Sequence, residues 1–396
     1  MKFVFIDHTI TLSSPFNTGI QRTVRRIIEQ SKKNSFSYKF RVINLNDLNN
    51  SPNIKNGIRI PTILKSSINI FLNKVGLYQL YHHSLFRLSC FIFFKKTDVN
   101  GSYFLNIDAN WSKSNLLFID RFRENGGKII SIYYDNGPYL YPEFFYPELV
   151  KGYREYWGKC IKNSDLILCI SKTIRDELIE LINNTDILLP GHDIPQIDYF
   201  YLGHDHSSVD FEEFPIKASP TNGKRNYLVV GSIEPRKNNK YIFDSFLTLL
   251  KKKPKLSESI NLIFIYNNSW KQDKLISSIH SSKYFNKNIF LLSDVNDREL
   301  LYFYQSSYAL INASYYEGFG LGLAEAQSMG LKVFCSDIPV YKELFSTNAI
   351  FFNNLKSESL YDVILSDLAE PKPLKPSILF TWKNSFSMII KKMNNI

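Results

Sequence analysis

The chain has 396 residues, and at about 150 residues per domain this length favours two or three domains. Hydrophobic residues make up 44% of the chain and charged residues 21%, which excludes a disordered, collagen-like or small disulfide-stapled protein. Lys and Arg number 48 against 37 Asp and Glu, a net charge of +11. This excess reflects either a general enrichment in Lys or a preference for anionic partners such as phosphorylated substrates.

Short apolar runs alternate with helical patterns through most of the sequence. The predicted strands are Phe3–Ile6, Phe40–Leu45, Tyr103–Ile107, Lys128–Tyr133, Leu166–Ile170, Tyr227–Val230, Asn261–Ile265, Ile289–Leu292, Ala309–Ile311 and Lys332–Cys335. The clearest predicted helices are Thr18–Gln30, Ser171–Ile182, Lys240–Lys252 and Asp297–Gln305. Several strands lack polar alternation, which is typical of strands buried on both faces of a parallel sheet. The alternation predicts an α/β architecture.

The alternation breaks once, between about His204 and Arg225, where Pro, Gly, Ser and acidic residues accumulate. We therefore expect two doubly wound domains that face each other across a cleft. The predicted boundaries are 1–205 for the N-terminal domain, 206–224 for a linker, 225–375 for the C-terminal domain and 376–396 for a final helix. Within the first domain, about 46–96 fits no strand–helix period and is interpreted as an insertion with one or two helices.

No segment of the sequence has the length of a membrane span. The longest apolar run, Leu85–Phe94, is interrupted by Arg87 and Ser89, whereas a bilayer requires about 20 apolar residues. The apolar start of the chain is too short for a signal peptide and is typical of a first strand. Four scattered cysteines in mostly apolar surroundings favour buried free thiols of a reducing compartment. We therefore expect a cytoplasmic protein, at most bound to a membrane face.

The strongest chemical signal is the segment 315–330, a glycine-rich loop between two predicted strands. Gly318 and Gly320 allow a tight turn and a close approach to a ligand. The helix that follows offers free N–H groups and a favourable dipole to a phosphate. Glu317 and Glu325 lie on either side of this loop, and carboxylates in such positions suit the hydroxyls of a sugar and a ribose. A helix N-terminus with a stabilising acid is the simpler alternative.

A second loop carries two cations where a strand ends. Gly231 ends the strand, and Arg236 and Lys237 precede the next helix. Because ligands of open parallel sheets bind at the carboxyl ends of strands, these cations are placed to hold a diphosphate. A solvated basic turn is the alternative for the loop taken alone.

Together the two loops resemble the retaining glycosyltransferases of the GT-B fold, specifically family 4. The chain contains that family's G-x-x-x-P-R-K-N pattern at Gly231–Asn238 and its E-G-F-G-L-x-x-x-E pattern at Glu317–Glu325, and the match covers roughly 225–390. The resemblance implies two Rossmann-like domains and a catalytic Glu317 beside the reacting carbon. It implies a donor-binding set made of Gly19, Arg236, Lys237, Gly318, Phe319, Gly320, Leu321 and Glu325. The sequence contains no Asp-x-Asp pair, and we expect no metal and no cofactor besides the donor.

The N-terminal half resembles the family more loosely. The segments 106–111 and 133–143 look like a bacterial surface-polysaccharide branch rich in mannosyl- and rhamnosyltransferases. Many members have His-Asp where this chain has Tyr134-Asp135. Asp135 is the candidate for orienting or deprotonating the acceptor hydroxyl, and Asp108 and His8 are weaker candidates for acceptor contact.

The resulting expectation is a retaining, metal-independent hexosyltransferase in O-antigen or capsule synthesis. The branch resemblance favours GDP-mannose over UDP- or dTDP-sugars, and a glycan or polyprenyl-diphosphate-linked acceptor. The basic, aromatic stretch 67–96 either rests on an anionic membrane face or covers the N-terminal sheet. A sugar-nucleotide epimerase and a degenerate, non-catalytic transferase remain alternatives. Nucleic acid is not expected as a partner, because no basic run exceeds three residues and no known module is present.

Overall fold

The structure is a computed structural model that describes residues 2–14, 18–33, 38–48, 78–185, 194–204, 223–371 and 380–396. Most of the predicted linker, the residues just before Thr18 and the middle of the predicted insertion lie outside these ranges.

The first sheet contains six parallel strands. They are β1 (Phe3–Asp7), β2 (Lys39–Ile43), β3 (Tyr103–Asn106), β4 (Lys128–Tyr133), β5 (Leu166–Cys169) and β6 (Gln196–Tyr199). Their order is β2-β1-β3-β4-β5-β6, and every neighbouring pair is parallel. The central strands β3 and β5 are buried along their whole length.

Helices cover both faces of this sheet. Those described are α1 (Thr9–Ser13), α2 (Gly19–Lys33), α3 (Leu45–Leu48), α4 (Tyr78–Lys96), α5 (Lys113–Glu124), α6 (Gly137–Leu140), α7 (Pro147–Asn163) and α8 (Lys172–Asn184). Ser171 is the N-cap of α8, and its side chain accepts a hydrogen bond from the N–H of Ile174.

The second sheet is also parallel and six-stranded. It contains β7 (Arg225–Val230), β8 (Ile260–Ile265), β9 (Ile289–Leu292), β10 (Ala309–Asn312), β11 (Lys332–Ser336) and β12 (Ile350–Phe352). The order β9-β8-β7-β10-β11-β12 is that of the dinucleotide-binding fold. The described helices are α9 (Asn239–Lys252), α10 (Asp273–His280), α11 (Asp297–Ser306), α12 (Leu321–Ser328), α13 (Pro339–Phe345), α14 (Ser359–Ala369) and α15 (Trp382–Met393), with 3-10 turns at Pro142–Phe144, Pro235–Lys237 and Pro254–Glu258.

The last helix, α15, packs against the N-terminal sheet. The backbone of Trp382 lies so close to Gly203 that a Cβ on the glycine would be 2.3 Å from the Trp382 nitrogen. The hydroxyl of Ser385 donates to the carbonyl of Tyr201 at 2.6 Å, and the ring of Phe386 lies 5.4 Å from that of Phe40. The end of the described chain is thereby bound to the first domain.

The prediction of two doubly wound parallel sheets is confirmed. All ten predicted strands are present within two residues of their expected ends, but the edge strands β6 and β12 were not predicted. A buried core cluster includes residues of both sheets, so the two domains pack directly against each other.

Candidate active site

The candidate site is built on two loops of the C-terminal domain. One follows β7 and contains the turn Pro235–Lys237, and the other follows β10 and leads into α12. The strands β7 and β10 are neighbours where the strand order reverses, the place where open α/β sheets bind ligands. The N–H of Tyr315 donates to the carbonyl of Arg236 at 2.9 Å, so the two loops are joined.

Glu317 lies between the two predicted cations. Its Oε2 is 2.7 Å from Nη1 of Arg236, its Oε1 contacts Nζ of Lys237, and the hydroxyl of Ser314 donates to Oε1 at 2.9 Å. Burial raises the pKa of Glu317, but the two cations outweigh burial and lower it to about 2. Glu317 is therefore a buried, ionised carboxylate at any physiological pH.

Arg236 has further partners that sequence reasoning missed. Its Nη2 is 2.6 Å from Oε1 of Glu234, and its Nη1 also donates to the carbonyl of Tyr316 at 2.8 Å. Glu234 is buried and lies two residues before Arg236. Its acidic character inside the Gly231–Asn238 motif was the only sequence signal for this contact. The guanidinium thus ties both loops together and holds Glu317 in place.

The glycines of the second loop are required by close packing. A Cβ on Gly318 would lie 2.1 Å from the carbonyl oxygen of Tyr134 in the N-terminal domain. The carbonyl of Gly318 accepts a hydrogen bond from the hydroxyl of Ser171 at 2.9 Å. Gly320 has a φ of 92°, and a Cβ there would be 2.6 Å from the ring of Tyr341. The loop therefore fits closely against the opposite domain.

Glu325 is buried on α12 and forms an ion pair with Arg22 on α2 of the N-terminal domain. The pair joins residues 303 positions apart, and Arg22 was not predicted to contact Glu325. Arg22 lies three positions after Gly19, which puts both residues in the first turn of α2. Glu325 and Gly19 therefore belong to facing segments of the two domains.

The other predicted donor residues differ in exposure. A Cβ on Gly19 would have no atom of the described residues within 4 Å. The side chain of Phe319 is buried in the core, and Leu321 is partly buried against the same cluster. Any contact of Phe319 with a ligand must therefore be made by its backbone.

Asp135 faces the Glu317 cluster from the N-terminal domain. Its Oδ1 accepts a hydrogen bond from the N–H of Gly137 at 2.8 Å. Burial raises the pKa of Asp135, Arg236 opposes this shift, and Glu317 adds to it. The neighbouring Tyr134 is turned away, because its hydroxyl donates to the carbonyl of Ile107 at 2.7 Å. Tyr134 thus stabilises the N-terminal core.

Asp108 and His8, the weaker acceptor candidates, lie near α1. Both oxygens of Asp108 are occupied, since they accept the N–H groups of Ile10 and Thr11 at 2.7 and 2.8 Å, and also the Thr11 hydroxyl and the Ala109 N–H. This favours a structural role for Asp108. His8 is half-buried, and burial lowers its pKa although Asp108 opposes the shift.

The buried Asp7 at the end of β1 should make the stability depend on pH. It accepts hydrogen bonds from the Thr9 N–H and the Asn115 amide, both at 3.0 Å, yet burial raises its pKa to about 6. The folded state then keeps the proton that the unfolded state has lost near pH 4, so stability falls as pH rises through this window. We expect the free energy of unfolding to fall by about 2 kcal/mol between pH 4.5 and 7.5 through Asp7 alone.

Urea denaturation across that range checks this expectation. The unfolding free energy of wild type minus that of D7N should decrease as pH rises, because wild type loses stability through Asp7 and asparagine does not titrate. D176N, at an exposed aspartate paired with Arg175, is the control and should leave the pH dependence unchanged. If the difference in unfolding free energy between wild type and D7N stayed the same at every pH, the expectation would be wrong.

Sequence reasoning also missed a set of polar contacts that joins the domains. The hydroxyl of Tyr316 donates to Oε2 of Glu177 and accepts the N–H of Asn136, both at 2.8 Å. Glu343 accepts the N–H groups of Lys172 and Thr173, at 2.9 and 2.7 Å, and so caps α8 from the opposite domain. No local pattern in the sequence indicated these partners.

Three further findings concern the described residues only. These residues contain no group of three or more His, Cys, Asp or Glu residues that could hold a metal ion. No helix in the described ranges combines the length and the apolar character needed to cross a bilayer. The four cysteines are free and buried.

Comparisons with known proteins give consistent results. Residues 210–375 match the family model "Glycosyl transferases group 1". The "Serotype-specific mannosyltransferase WbdA" of Escherichia coli is 26% identical over 286 residues, which cover 69% of this chain and 34% of WbdA. The "O-antigen chain mannosyltransferase RfbU" of Salmonella typhimurium is 29% identical over 221 residues, which cover 56% of this chain and 55% of RfbU. The chain thus spans about a third of WbdA and about half of RfbU.

Solved structures resemble the whole chain. An apo structure of OtsA matches with a TM-score of 0.64 at 12% identity and covers 100% of both chains. Sucrose-phosphate synthase from Thermosynechococcus elongatus also gives 0.64, at 13% identity, over 100% of this chain and 99% of that one. At these identities the likeness concerns the fold alone, which is GT-B.

Proposed function

We propose that this chain, whose residues 210–375 match the model "Glycosyl transferases group 1", is a retaining, metal-independent hexosyltransferase. The donor is a nucleoside diphosphate sugar, with GDP-mannose favoured over UDP- and dTDP-sugars. The observation that carries the proposal is the ionised Glu317 held between Arg236 and Lys237 at the domain interface. The mannosyltransferase names of WbdA and RfbU support the choice of sugar.

In the proposed mechanism, the leaving diphosphate is stabilised by fixed positive charge. Arg236 and Lys237 supply two cations, and the N–H of Gly19 and the start of α12 supply further donors. Preorganised groups of this kind are usually the largest contribution to catalysis of such a step. A covalent nucleophile is not needed if the acceptor hydroxyl attacks from the side that the diphosphate leaves.

The two glutamates have separate roles in the proposal. Glu317 accepts hydrogen bonds from donor-sugar hydroxyls next to the reacting carbon, and its low pKa keeps it an acceptor. Glu325 accepts the ribose hydroxyls, and its ion pair with Arg22 holds the carboxylate in position. Asp135, on the opposite domain, orients the acceptor hydroxyl or receives its proton, and its raised pKa suits proton transfer.

The proposed acceptor is a growing surface polysaccharide, O-antigen or capsule, carried on a polyprenyl diphosphate at the cytoplasmic side of the membrane. One face of α4 supports a peripheral contact with anionic lipid. Leu88 and Phe91 are 55% and 65% exposed there, next to the exposed Arg87 and Lys95. Apolar side chains flanked by cations are typical of helices that lie on anionic membranes.

Calorimetric titration with GDP, UDP and dTDP tests the donor site. We expect one nucleotide, GDP, to bind with a micromolar Kd, and both R236A and E325A to weaken it at least tenfold, which corresponds to about 1.4 kcal/mol. The control K240A removes an exposed cation that pairs with Asp244 on α9 and should bind like wild type. If none of the three nucleotides binds, the proposed function is wrong.

Acceptor dependence separates a transferase from an epimerase on the same fold. The proposed transferase should release GDP from GDP-mannose much faster when a mannoside acceptor is present. An epimerase would turn over without any acceptor and release a free sugar. Nucleotide binding without any turnover would instead indicate a degenerate transferase.

A further inference from the structure

We propose that Tyr316, Asn136 and Glu177 form a positioning network that sets Glu317 against Asp135 across the domain interface. The inference rests on the proposed function and adds positioning residues that lie outside the donor site. Tyr316 comes from the loop after β10, whereas Asn136 and Glu177 belong to the N-terminal domain. The Tyr316 hydroxyl donates to Oε2 of Glu177 and accepts the Asn136 N–H, both at 2.8 Å.

Tyr316 and Asn136 of this network are buried, Glu177 is partly exposed, and all three are linked by hydrogen bonds. Tyr316 is 6% exposed and Asn136 is fully buried. The side-chain amide of Asn136 donates to Oε2 of Glu177 at 3.2 Å, and its amide oxygen accepts the hydroxyl of Tyr133 at 2.8 Å. Each member therefore has at least two polar partners, so the loss of one hydroxyl leaves buried groups unpaired.

The two candidate carboxylates occupy corresponding places in two facing triplets. Glu317 is flanked by Tyr316, which bonds to Asn136, and by Gly318, which touches the carbonyl of Tyr134. Asp135 is flanked by those same residues, Tyr134 and Asn136. The contacts on both sides fix the two triplets against each other and leave each carboxylate in the middle. The distance between the donor side and the acceptor side is therefore set at these contacts.

Glu317 is also held from within its own domain, by Arg236 and Lys237. Those ion pairs place Glu317 relative to the donor loop but not relative to the N-terminal domain. The Tyr316 hydroxyl supplies that second constraint on one side of Glu317, and the packing of Gly318 against Tyr134 supplies it on the other. Removal of the hydroxyl should leave nucleotide binding intact and impair the step in which both domains act together. A misplacement of about 1 Å at a reacting centre can cost about 100-fold in rate.

The test compares Y316F with Y315F. Y315F removes a hydroxyl from the neighbouring tyrosine, whose ring stacks on Phe144 with the ring centroids 5.5 Å apart. For Y316F we expect kcat with GDP-mannose and a mannoside acceptor to fall about 100-fold, while the Kd for GDP changes less than threefold. Y315F should keep both values. E177Q, which retains an acceptor oxygen for Tyr316, should recover most of the rate that E177A loses.

Hydrogen–deuterium exchange provides a readout that needs no substrate. In Y316F the amide of Asn136 loses its acceptor, so peptides covering 134–137 and 316–318 should exchange faster than in wild type and Y315F. The proposed network is wrong if Y316F leaves the exchange of these peptides unchanged or leaves kcat unchanged. It is also wrong if Y316F lowers kcat and GDP affinity by the same factor. If the wild type binds no nucleotide, the proposed function fails, but the exchange result still decides whether the network exists.

Discussion

A G318A variant should lose about 100-fold in turnover while its two domains stay folded. The added methyl group would lie 2.1 Å from the carbonyl oxygen of Tyr134, and an ordinary contact needs about 3.4 Å. The loop or the opposite domain must therefore move by more than 1 Å. Because Glu317 adjoins Gly318, this movement displaces the candidate catalytic carboxylate, and displacements of this size are costly in rate. Turnover and the thermal unfolding midpoint are the measurements.

G158A is the matched control for this substitution. Gly158 lies inside α7, and a Cβ there would have no atom of the described residues within 4 Å, so alanine should preserve turnover and slightly raise stability. If G318A turns over as fast as wild type, the contact between Gly318 and Tyr134 is not as close during turnover as it is in the structure. A G318A chain that fails to fold would also disagree with this account, because the clash lies between the two domains and not within either sheet.

The sequence was sufficient for the parts of the fold that depend on local pattern. Strands such as β5 and β8 are buried along their whole length, so unbroken apolar runs identified them. The strand β6 was missed because Gln196 and Asp198 interrupt its apolar residues, as edge strands allow. The strand β12 was missed because it has three residues, too few for a periodic signal.

The candidate site also contains residues that local motifs identified and contacts that they could not predict. Glu317, Arg236 and Lys237 were singled out because each lies in a short motif with its own spacing, and the structure brings them together. The partner of Glu325 could not be predicted, since Arg22 is 303 positions away. The contact between Gly318 and Tyr134 likewise depends on how two separate domains pack. Such non-local contacts follow from the completed fold and leave no periodic trace in the chain.

An E317Q variant should separate nucleotide binding from turnover. Glutamine keeps the size of the side chain but removes the charge that pairs with Arg236 and Lys237. In the proposed mechanism the sugar hydroxyls then lose their charged acceptor, and we expect turnover to fall by about 100- to 1,000-fold. The Kd for GDP should stay within about threefold, because the freed cations remain available to the diphosphate.

The same substitution should also destabilise the fold. The pKa of about 2 means that the folded state favours ionised Glu317, a stabilisation present above the unfolded pKa and lost only as pH falls through about 2. Removal of the charge should therefore cost about 3 kcal/mol at neutral pH, measured by urea denaturation. E358Q is the control, since its exposed pair with Lys252 should contribute less than about 1 kcal/mol. If E317Q lost GDP binding and turnover in equal proportion, Glu317 would act only by holding Arg236 and Lys237 in position, and its contact with the donor sugar would have to be abandoned.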